Sequence, residues 1–386
     1  MNDRNTSRRV ASAVSKPAER DSWRFVFVTV GLLALIGVKS FFLANDLTLK
    51  EENRKADQWP TLGDIRLATI DKSTQEFTDA FNDRYEFRDV FNYFRRFVKF
   101  KVFGADPEKN IVLGKDKYLF YGVDAEIRRR YLPRDVTVGE AKVLAETITK
   151  RFDTMHALHK RYYFMISPDK SSIVKEKLPV FYLDDQPSRF DLALAMLRPE
   201  VRANVIDLRP VLRTTPDAYY RTDAHWTPAG TQAVYAYLRD FLMQHENVNV
   251  PPLTLPPAKV AAATGGIAEQ SGLARLFPEP IYHDTADGRF SAFGNCDFVV
   301  RKVSADGHLR LVSSECRGTS RTRIMICRDS FFAEMLSSIG SMFQTSLIAW
   351  SSAWNVKKML DFKPDVVLDE IVERDAPNLG DDNVSN

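Results

Sequence analysis

Five short apolar runs separated by helical patterns limit the folds open to this 386-residue chain more than any other feature. Each run is apolar at consecutive positions, which is typical of strands that are buried on both faces of a sheet. Because these runs alternate with helical stretches, the sequence predicts an α/β fold with a parallel sheet between two helical layers. The predicted strands lie within Arg161–Lys170, Val205–Leu208, Arg323–Cys327, Ser346–Trp350 and Asp365–Glu373.

Other segments extend this pattern. Ile111–Gly122 reads as a strand pair around a turn, and Phe81–Gly104 has the mixed three- and four-residue aromatic spacing of an amphipathic helix. Residues 246–320 are rich in Pro, Gly and Thr and break the rhythm, which predicts a β-rich insertion. Further helices are predicted over Val138–Lys160, Phe190–Leu197 and Ala229–Met243.

Phe25–Ala44 is an apolar stretch of about 20 residues, enough for a helix to cross a bilayer. Residues 1–24 hold six Lys or Arg against three Asp or Glu, so the positive-inside rule keeps them in the cytoplasm. We therefore expect an uncleaved, single-pass anchor in a bacterial inner membrane, with the rest of the chain in the periplasm. A cleaved signal peptide and a buried soluble helix are the alternatives.

The expected organisation is a cytoplasmic tail over 1–24, a transmembrane signal anchor over 25–44 and a helical neck over 45–109. A domain over 110–380, with the insertion at 246–320, follows the neck. The net charge of the whole chain is +3, equal to that of residues 1–24, so the remainder is neutral. A neutral body argues against nucleic-acid binding.

Asp223 and His225 stand in a loop directly before a predicted helix. Thr227-Pro228 suits a helix N-cap followed by proline at the first helical position. An Asp two residues from a His in such a loop orients the imidazole through Nδ1 and leaves Nε2 free as a base. On its own, an Asp-x-His pair is also found in ordinary loops.

Ser330 follows an apolar strand that ends at Cys327, and Phe331–Leu336 is expected to continue as a helix. A serine at a strand-to-helix turn places its hydroxyl near backbone N–H groups that can hold an oxyanion. The structural alternative is that Ser330 or Asp329 only caps the helix. Together the two segments offer a nucleophile, a base and an orienting carboxylate.

These segments resemble the alginate O-acetyltransferase group of AlgJ and AlgX, which has an SGNH-hydrolase-like, circularly permuted fold. The matching stretches are the Asp-Ser turn, TDAHWTPAG, VLGKDKYLFYG, SPDKSSIVKEKLP and KPDVVLDEIVER, and they cover roughly residues 80–380. The resemblance is closer to AlgJ, because no room follows Glu373 for the carbohydrate-binding module of AlgX.

The resemblance implies a three-layer α/β/α domain in which Ser330 is the nucleophile, His225 the base and Asp223 its orienting partner. Arg328 stands where SGNH hydrolases have glycine, which leaves one oxyanion donor unassigned. Arg328, Asp329 and Trp226 are the candidates for the oxyanion site and its surroundings. The implied reaction is O-acetylation of an exported, alginate-like polysaccharide without a metal or other cofactor. A membrane-bound O-acyltransferase is the implied acetyl donor. A periplasmic esterase or polysaccharide deacetylase, and a non-catalytic assembly protein, are the alternatives.

The remaining candidate residues carry weaker signals. Cys296 and Cys316 flank a predicted hairpin in an oxidising compartment, which favours a disulfide, whereas Cys327 is expected to be a buried hydrophobe. Lys170 is either a contact for an anionic substrate or an ordinary loop lysine. His156 and His159 have no third ligand nearby, so no metal site is predicted.

Overall fold

The computed structural model describes residues 31, 48–49, 54–61, 70–84, 88–183, 186–246, 248, 259–283, 296–303, 309–317, 320–351, 354, 359 and 361–379. The chain divides into two compact units, Met1–Arg95 and Arg96–Asn386. The predicted membrane span Phe25–Ala44 lies outside the described residues except for Gly31. Within the described part of the chain, no helix is both long and apolar enough to cross a membrane.

The first unit contains a small antiparallel strand pair, β1 (Thr48–Leu49) and β2 (Arg54–Lys55), followed by helix α1 (Ile70–Arg84). The single helix predicted over Phe81–Gly104 is wrong, because α1 ends at Arg84 and a second helix, α2 (Arg88–Phe103), begins after it. Arg84 stabilises the end of α1 because its Nη1 donates to the carbonyl oxygen of Ala80 at 3.0 Å.

The second unit, from Arg96 onward, holds most of the secondary structure. Its strands are β3 (Ile111–Leu113), β4 (Leu119–Tyr121), β5 (Arg161–Ser167), β6 (Val205–Asp207), β7 (Lys259–Ala262), β8 (Ile281–His283), β9 (Cys296–Val303), β10 (Leu309–Cys316), β11 (Ser320–Arg328), β12 (Phe343–Trp350) and β13 (Val366–Val372). Its helices after α2 are α3 (Ala125–Arg129), α4 (Arg134–Ala157), α5 (Lys170–Ile173), α6 (Arg189–Met196), α7 (Pro199–Arg202), α8 (Arg209–Thr214), α9 (Pro228–Glu246), α10 (Gly266–Gln270) and α11 (Leu336–Gly340).

A seven-stranded sheet forms the centre of this unit, in the order β6-β5-β13-β11-β12-β10-β9. The five strands from β6 to β12 pair in parallel and correspond to the five predicted apolar runs. The sheet is mixed rather than parallel, because β10 pairs antiparallel with both β12 and β9. The predicted β-rich insertion thus extends the main sheet: β9 and β10 follow each other closely along the chain, and a short connection permits only antiparallel pairing.

Alternate residues of the central strands face two different cores. On β13, Val366 and Leu368 belong to one apolar cluster, whereas Val367 and Ile371 belong to another. Helix α9 packs on the first face through residues such as Leu238, and α4 and α6 cover the second. The architecture is therefore a three-layer α/β/α domain around a mixed sheet.

Candidate active site

The loop between α8 and α9 carries Asp223 and His225, and its two ends are paired with each other. Tyr219 and Trp226 form an isolated antiparallel bridge, and the N–H of Thr227 donates to the carbonyl oxygen of Ala218 at 2.9 Å. As the sequence predicts, Thr227 caps α9, since its Oγ1 accepts a hydrogen bond from the N–H of Gly230 at 3.3 Å. We call Tyr219–Trp226 the histidine loop.

Asp223, His225 and Ser330 lie in one hydrogen-bonded line. Nδ1 of His225 is 2.6 Å from Oδ1 of Asp223, and Nε2 of His225 is 2.9 Å from Oγ of Ser330. The structure thus brings together the three residues that the sequence proposed as base, orienting partner and nucleophile. The histidine side chain is 37% exposed and the aspartate side chain 14%, so the line runs from the interior towards solvent.

Asp223 is held as a carboxylate. Burial alone would raise its pKa, but the hydrogen bond from the His225 ring and the backbone N–H groups of His225 and Gly266 hold the pKa well below its ordinary value. An ionised carboxylate only accepts hydrogen bonds, so Nδ1 of His225 carries the proton and Nε2 presents its lone pair to Ser330. This tautomer is the one that a general base requires.

Ser330 stands at the carboxyl end of β11, the position at which open α/β sheets place their ligand sites. The predicted continuous helix over Phe331–Leu336 is wrong: a short 3₁₀ turn, Ala333–Met335, comes first, and α11 begins at Leu336. The chain bends here because Asp329 Oδ1 accepts the N–H of Phe331 at 2.8 Å and the Ser330 carbonyl accepts that of Ala333. We call Cys327–Phe331 the serine turn.

Two carboxyl groups, the buried Glu370 and the half-buried Asp329, fix the serine turn. Oδ2 of Asp329 accepts the N–H of Val372 at 2.6 Å, and Oε2 of Glu370 accepts the N–H of Asp329 at 2.9 Å. Burial and the nearby charge of Asp329 raise the pKa of Glu370 well above its ordinary value. The pKa of Asp329 is also raised by burial, although the N–H groups of Phe331 and Val372 oppose this shift.

The predicted neighbours of the site have structural contacts that their positions in the sequence did not reveal. Arg328 is buried, with its guanidinium 4.6 Å from the Trp350 ring centre and its Nη1 donating to the carbonyl of Asp329 at 2.9 Å. Trp226 is also buried and packs edge-on against Phe331 at 5.2 Å between ring centres. The ring of Phe331 also contacts the ring of His225, at 4.8 Å between ring centres. Phe331 therefore helps to position the imidazole, and Trp226 supports Phe331 through its own contact.

Lys170 takes part in the site in a way that the sequence analysis missed. It follows β5, is almost wholly buried, and donates to three backbone carbonyls of the histidine loop: Asp223 at 2.7 Å, and Tyr220 and Arg221 at 3.1 Å each. Burial lowers its pKa to about 8, although the charges of Asp124, Asp223 and Glu279 oppose the shift. An ammonium with all three donors used internally is not a surface contact for substrate.

Residues 259–283, within the predicted insertion, supply a second set of contacts. Glu279 accepts the N–H groups of Arg221 and Thr222 at 3.0 and 2.7 Å, and the N–H of Gly266 donates to Oδ2 of Asp223 at 2.7 Å. A Cβ at position 265 would lie 2.4 Å from the backbone carbonyl of Thr222, so this approach requires glycine. The adjacent glycines Gly265-Gly266 were the available sequence signal.

Beside the serine turn, β13 is followed by Glu373 and Arg374. Arg374 Nη1 is 2.6 Å from Oδ1 of the buried Asp169, and its guanidinium lies 5.6 Å from the ring centre of Phe331. Burial, reinforced by the charge of Asp169, raises the pKa of Glu373 to about 7. Ser172 donates to Oε2 of Glu373 at 2.6 Å.

Cys296 and Cys316 lie apart from the site residues in the sequence, whereas Cys327 begins the serine turn, and the cysteines differ in state. Cys296 and Cys316 face each other across β9 and β10 and form a disulfide, with their Cα atoms 4.0 Å apart. Cys327 is a buried free thiol on β11. Within the residues that the structure describes, no group of His, Cys, Asp and Glu is arranged to hold a metal ion.

Comparisons with known proteins agree with this fold. Residues 111–287 match the family described as "SGNH hydrolase-like domain, acetyltransferase AlgX". Bacillus cereus PatB1, solved with a sulfonyl adduct, is similar in structure, with a TM-score of 0.51, 14% identity, and coverage of 70% of this chain and 98% of that chain. At this identity the likeness shows a shared fold.

Two further solved structures are more distant. The O-acetyltransferase domain of Pseudomonas putida AlgJ is 15% identical, covers 72% of this chain and 94% of that chain, and has a TM-score of 0.43. Pseudomonas aeruginosa AlgX is 14% identical over 68% of this chain and 62% of that chain, with a TM-score of 0.36. No sequence among the curated proteins matches the chain.

Proposed function

We propose that this chain transfers acetyl groups to hydroxyls of an exported, alginate-like polysaccharide. The proposal proceeds from the family to which the chain belongs, the AlgJ/AlgX-like family of SGNH hydrolase-like acetyltransferase domains. Ser330 is the nucleophile in this proposal, His225 the general base and Asp223 its orienting carboxylate. The single observation that carries it is the line of contacts from Asp223 through His225 to Ser330, at 2.6 and 2.9 Å.

The acylation step follows from this geometry. Ser330 Oγ attacks the carbonyl carbon of an acetyl ester while Nε2 of His225 takes the hydroxyl proton. The negative charge that forms on the carbonyl oxygen needs hydrogen-bond donors. The N–H groups of Asp329 and Phe331 already donate to Glu370 and Asp329, so the N–H of Ser330 is the candidate donor from the serine turn. The C–O bond to the donor alcohol then breaks, and Nε2 returns the proton to that alcohol.

The transfer step repeats the same proton movement with a new alcohol. A sugar hydroxyl gives its proton to Nε2 of His225 and attacks the acetyl carbon. The bond to Ser330 Oγ breaks, the proton moves from Nε2 to Oγ, and the sugar leaves with an O-acetyl group. The Asp223 carboxylate stabilises the imidazolium that exists between these proton transfers.

The test of this function separates transfer from hydrolysis. With a chromogenic acetyl ester and a polysaccharide acceptor, the wild type should leave acetyl on sugar, detectable by NMR of the recovered polymer. Ser330→Ala should abolish both donor turnover and sugar acetylation. Release of acetate alone, with every acceptor tested, would instead favour an esterase or deacetylase that uses the same three residues.

The location and partners also form part of the proposal. The apolar Phe25–Ala44 segment and the basic residues before it support an inner-membrane anchor with the enzyme in the periplasm. Because acetyl-CoA is a cytoplasmic donor, a membrane-bound O-acyltransferase would pass acetyl across the membrane. A phosphatase reporter fused after residue 60 should be active, whereas recovery of a soluble form that starts near residue 45 would replace the anchor with a cleaved signal peptide.

A further inference from the structure

We propose that Lys170 and Glu279 are positioning residues that hold the histidine loop in its productive conformation, as a clamp of two opposite charges. The loop between Tyr219 and Trp226 is irregular, with one isolated bridge at its ends, so its inner backbone groups are not paired within a strand ladder or a helix of their own. Neighbouring elements reach two of its carbonyls: the N–H of Leu119 in β4 donates to Arg221 at 2.8 Å, and the N–H of Ala268 in α10 donates to Thr222 at 3.1 Å. Buried backbone groups in that situation need partners from elsewhere.

Lys170 supplies the donors of this clamp. Its ammonium has three N–H groups, and three carbonyl oxygens of the loop lie within 3.1 Å of Nζ. The shortest contact, at 2.7 Å, is to the carbonyl of Asp223, the residue that orients the imidazole. The aromatic rings of Phe120 and Tyr118 lie 5.2 and 6.0 Å from Nζ and enclose the ammonium.

Glu279 supplies the acceptors. Its two carboxylate oxygens accept the N–H groups of Arg221 and Thr222, and Oε2 also accepts the Thr222 hydroxyl at 2.6 Å. The same hydroxyl in turn accepts the N–H of Gly265 at 3.0 Å, which ties the loop to the segment that carries Gly266. Lys170 therefore holds the carbonyls of the loop, and Glu279 its N–H groups.

Lys170 and Glu279 can affect the reaction only through the positions of His225 and Asp223. Neither charged group contacts Ser330 in the part of the chain that the structure describes, and both bind backbone rather than side chains that react. A shift of about 1 Å in a reacting group can cost roughly 10²-fold in rate. The inference rests on the proposed function for its kinetic readout, but the loop geometry can be measured without turnover.

The kinetic test compares Lys170→Met with Lys175→Met in the full-length protein. Lys175 is the matched control because its Nζ binds Glu126 at 3.0 Å, and it lies on the same segment. We expect Lys170→Met to lower kcat for an acetyl ester by about 10²-fold with KM changed less than about threefold. Lys175→Met should stay within about threefold of wild type in both constants.

A double mutant separates positioning from a loss of folded protein. In a His225→Ala background, adding Lys170→Met should lower kcat by less than about threefold, because the base that Lys170 positions is already absent. If Lys170→Met costs the same factor in both backgrounds, its effect does not pass through His225 and the inference is overturned. Retention of wild-type kcat by a folded Lys170→Met protein would overturn it as well.

A spectroscopic readout makes the test independent of turnover. The Nδ1–H proton shared between His225 and Asp223 should give a resonance far downfield of the amide protons, which Lys170→Met should shift or remove and Lys175→Met should keep. If Lys170→Met does not fold, Glu279→Gln, which keeps the shape and removes the charge, should produce the same two effects in weaker form. An unchanged resonance and kcat in Glu279→Gln would then overturn the inference.

The failure of the proposed function has a different signature. Full donor turnover by Ser330→Ala would remove the serine mechanism, whatever Lys170→Met does. The downfield resonance would still show whether Lys170 holds the imidazole.

Discussion

The histidine loop and the serine turn, the two halves of the site, are held by different means. The serine turn follows β11 inside the sheet, and one carboxylate, Asp329, accepts two backbone N–H groups there. The histidine loop lies outside the sheet and depends on Lys170, Glu279 and Gly266. The half that follows a strand is thus held by carboxyl groups at the end of its own sheet, Asp329 and Glu370, whereas the half on a loop is held by residues outside the sheet.

The largest effect on turnover in this comparison is expected at Asp329 of the serine turn, whose carboxyl group accepts two backbone N–H groups. Asp329→Ala leaves the buried N–H groups of Phe331 and Val372 without acceptors, which should cost roughly 2–5 kcal/mol of unfolding free energy. Donor turnover should fall by roughly 10²–10³-fold, since Ser330 is displaced. Urea unfolding and steady-state kinetics measure both effects.

Asp329→Asn is the control, because an amide keeps one oxygen acceptor and should lose less than half as much stability. Equal losses in the two variants would mean that the charge of Asp329, rather than its acceptor geometry, holds the turn. Wild-type turnover in Asp329→Ala would contradict the comparison.

A smaller effect is expected from one of the several contacts of the histidine loop. Gly265→Ala introduces a Cβ 2.4 Å from the Thr222 carbonyl, so the backbone must shift at a cost of about 1–3 kcal/mol. Turnover should fall by roughly 10–10²-fold. Gly139→Ala on α4 is the control, since no atom lies within 4 Å of its Cβ position, and it should leave turnover unchanged. Equal turnover in the two variants would contradict the close approach of Gly265 to the Thr222 carbonyl.

A pH effect is expected at Glu373, which directly follows β13 beside the serine turn. Its pKa is about 7 in the folded chain, against an ordinary value near 4.5, so the folded state binds the extra proton between these values. Stability should therefore fall as pH rises from about 4.5 to 7, by up to about 3 kcal/mol from this group.

Glu373→Gln should reduce that slope, because an amide does not titrate, while the wild-type hydrogen bond from Ser172 is retained by its oxygen. Urea titrations at several pH values between 4.5 and 7 measure the slope. An identical slope in the variant would assign the pH dependence to other buried carboxyls.

The smallest effect on turnover is expected at the antiparallel edge. Replacing both Cys296 and Cys316 with Ser should lower the unfolding free energy by about 3 kcal/mol in the chain-entropy model, for a sequence separation of 20 residues. Turnover should stay within about threefold of wild type, since β9 and β10 contribute no residue to the proposed mechanism. A large loss of turnover in a folded variant would mean that the edge strands support the site.

The sequence predicted the elements whose signals are local. The five parallel strands are continuous apolar runs, and such runs are typical of strands that are buried on both faces of a sheet. The Asp-x-His pair and the Ser turn stood next to helix-start and strand-end signals, and the structure brings their side chains within hydrogen-bonding distance. The hairpin of β9 and β10 was predicted, but its antiparallel pairing with β12 was missed, because that pairing joins strands that are distant in the sequence.

The supports of the site were harder to predict, for a physical reason. Lys170 reaches the carbonyl of Asp223 across 53 positions of sequence, and Glu279 reaches Thr222 across 57. A lysine that binds backbone carbonyls leaves no pattern in its partners' side chains, because any residue offers a carbonyl. Gly265-Gly266 alone carried a readable signal, since a close backbone approach selects glycine.

The central claim is that Ser330 forms a covalent acetyl intermediate, and rapid acid quenching with intact mass and peptide mapping tests it most directly. After mixing with an acetyl ester, the wild type should gain the mass of one acetyl group, located on the peptide that contains Ser330. His225→Ala should form this adduct at least about 10²-fold more slowly, and Ser330→Ala not at all. An adduct of equal amount in Ser330→Ala, or turnover of the donor with acetyl on no residue, would contradict the account.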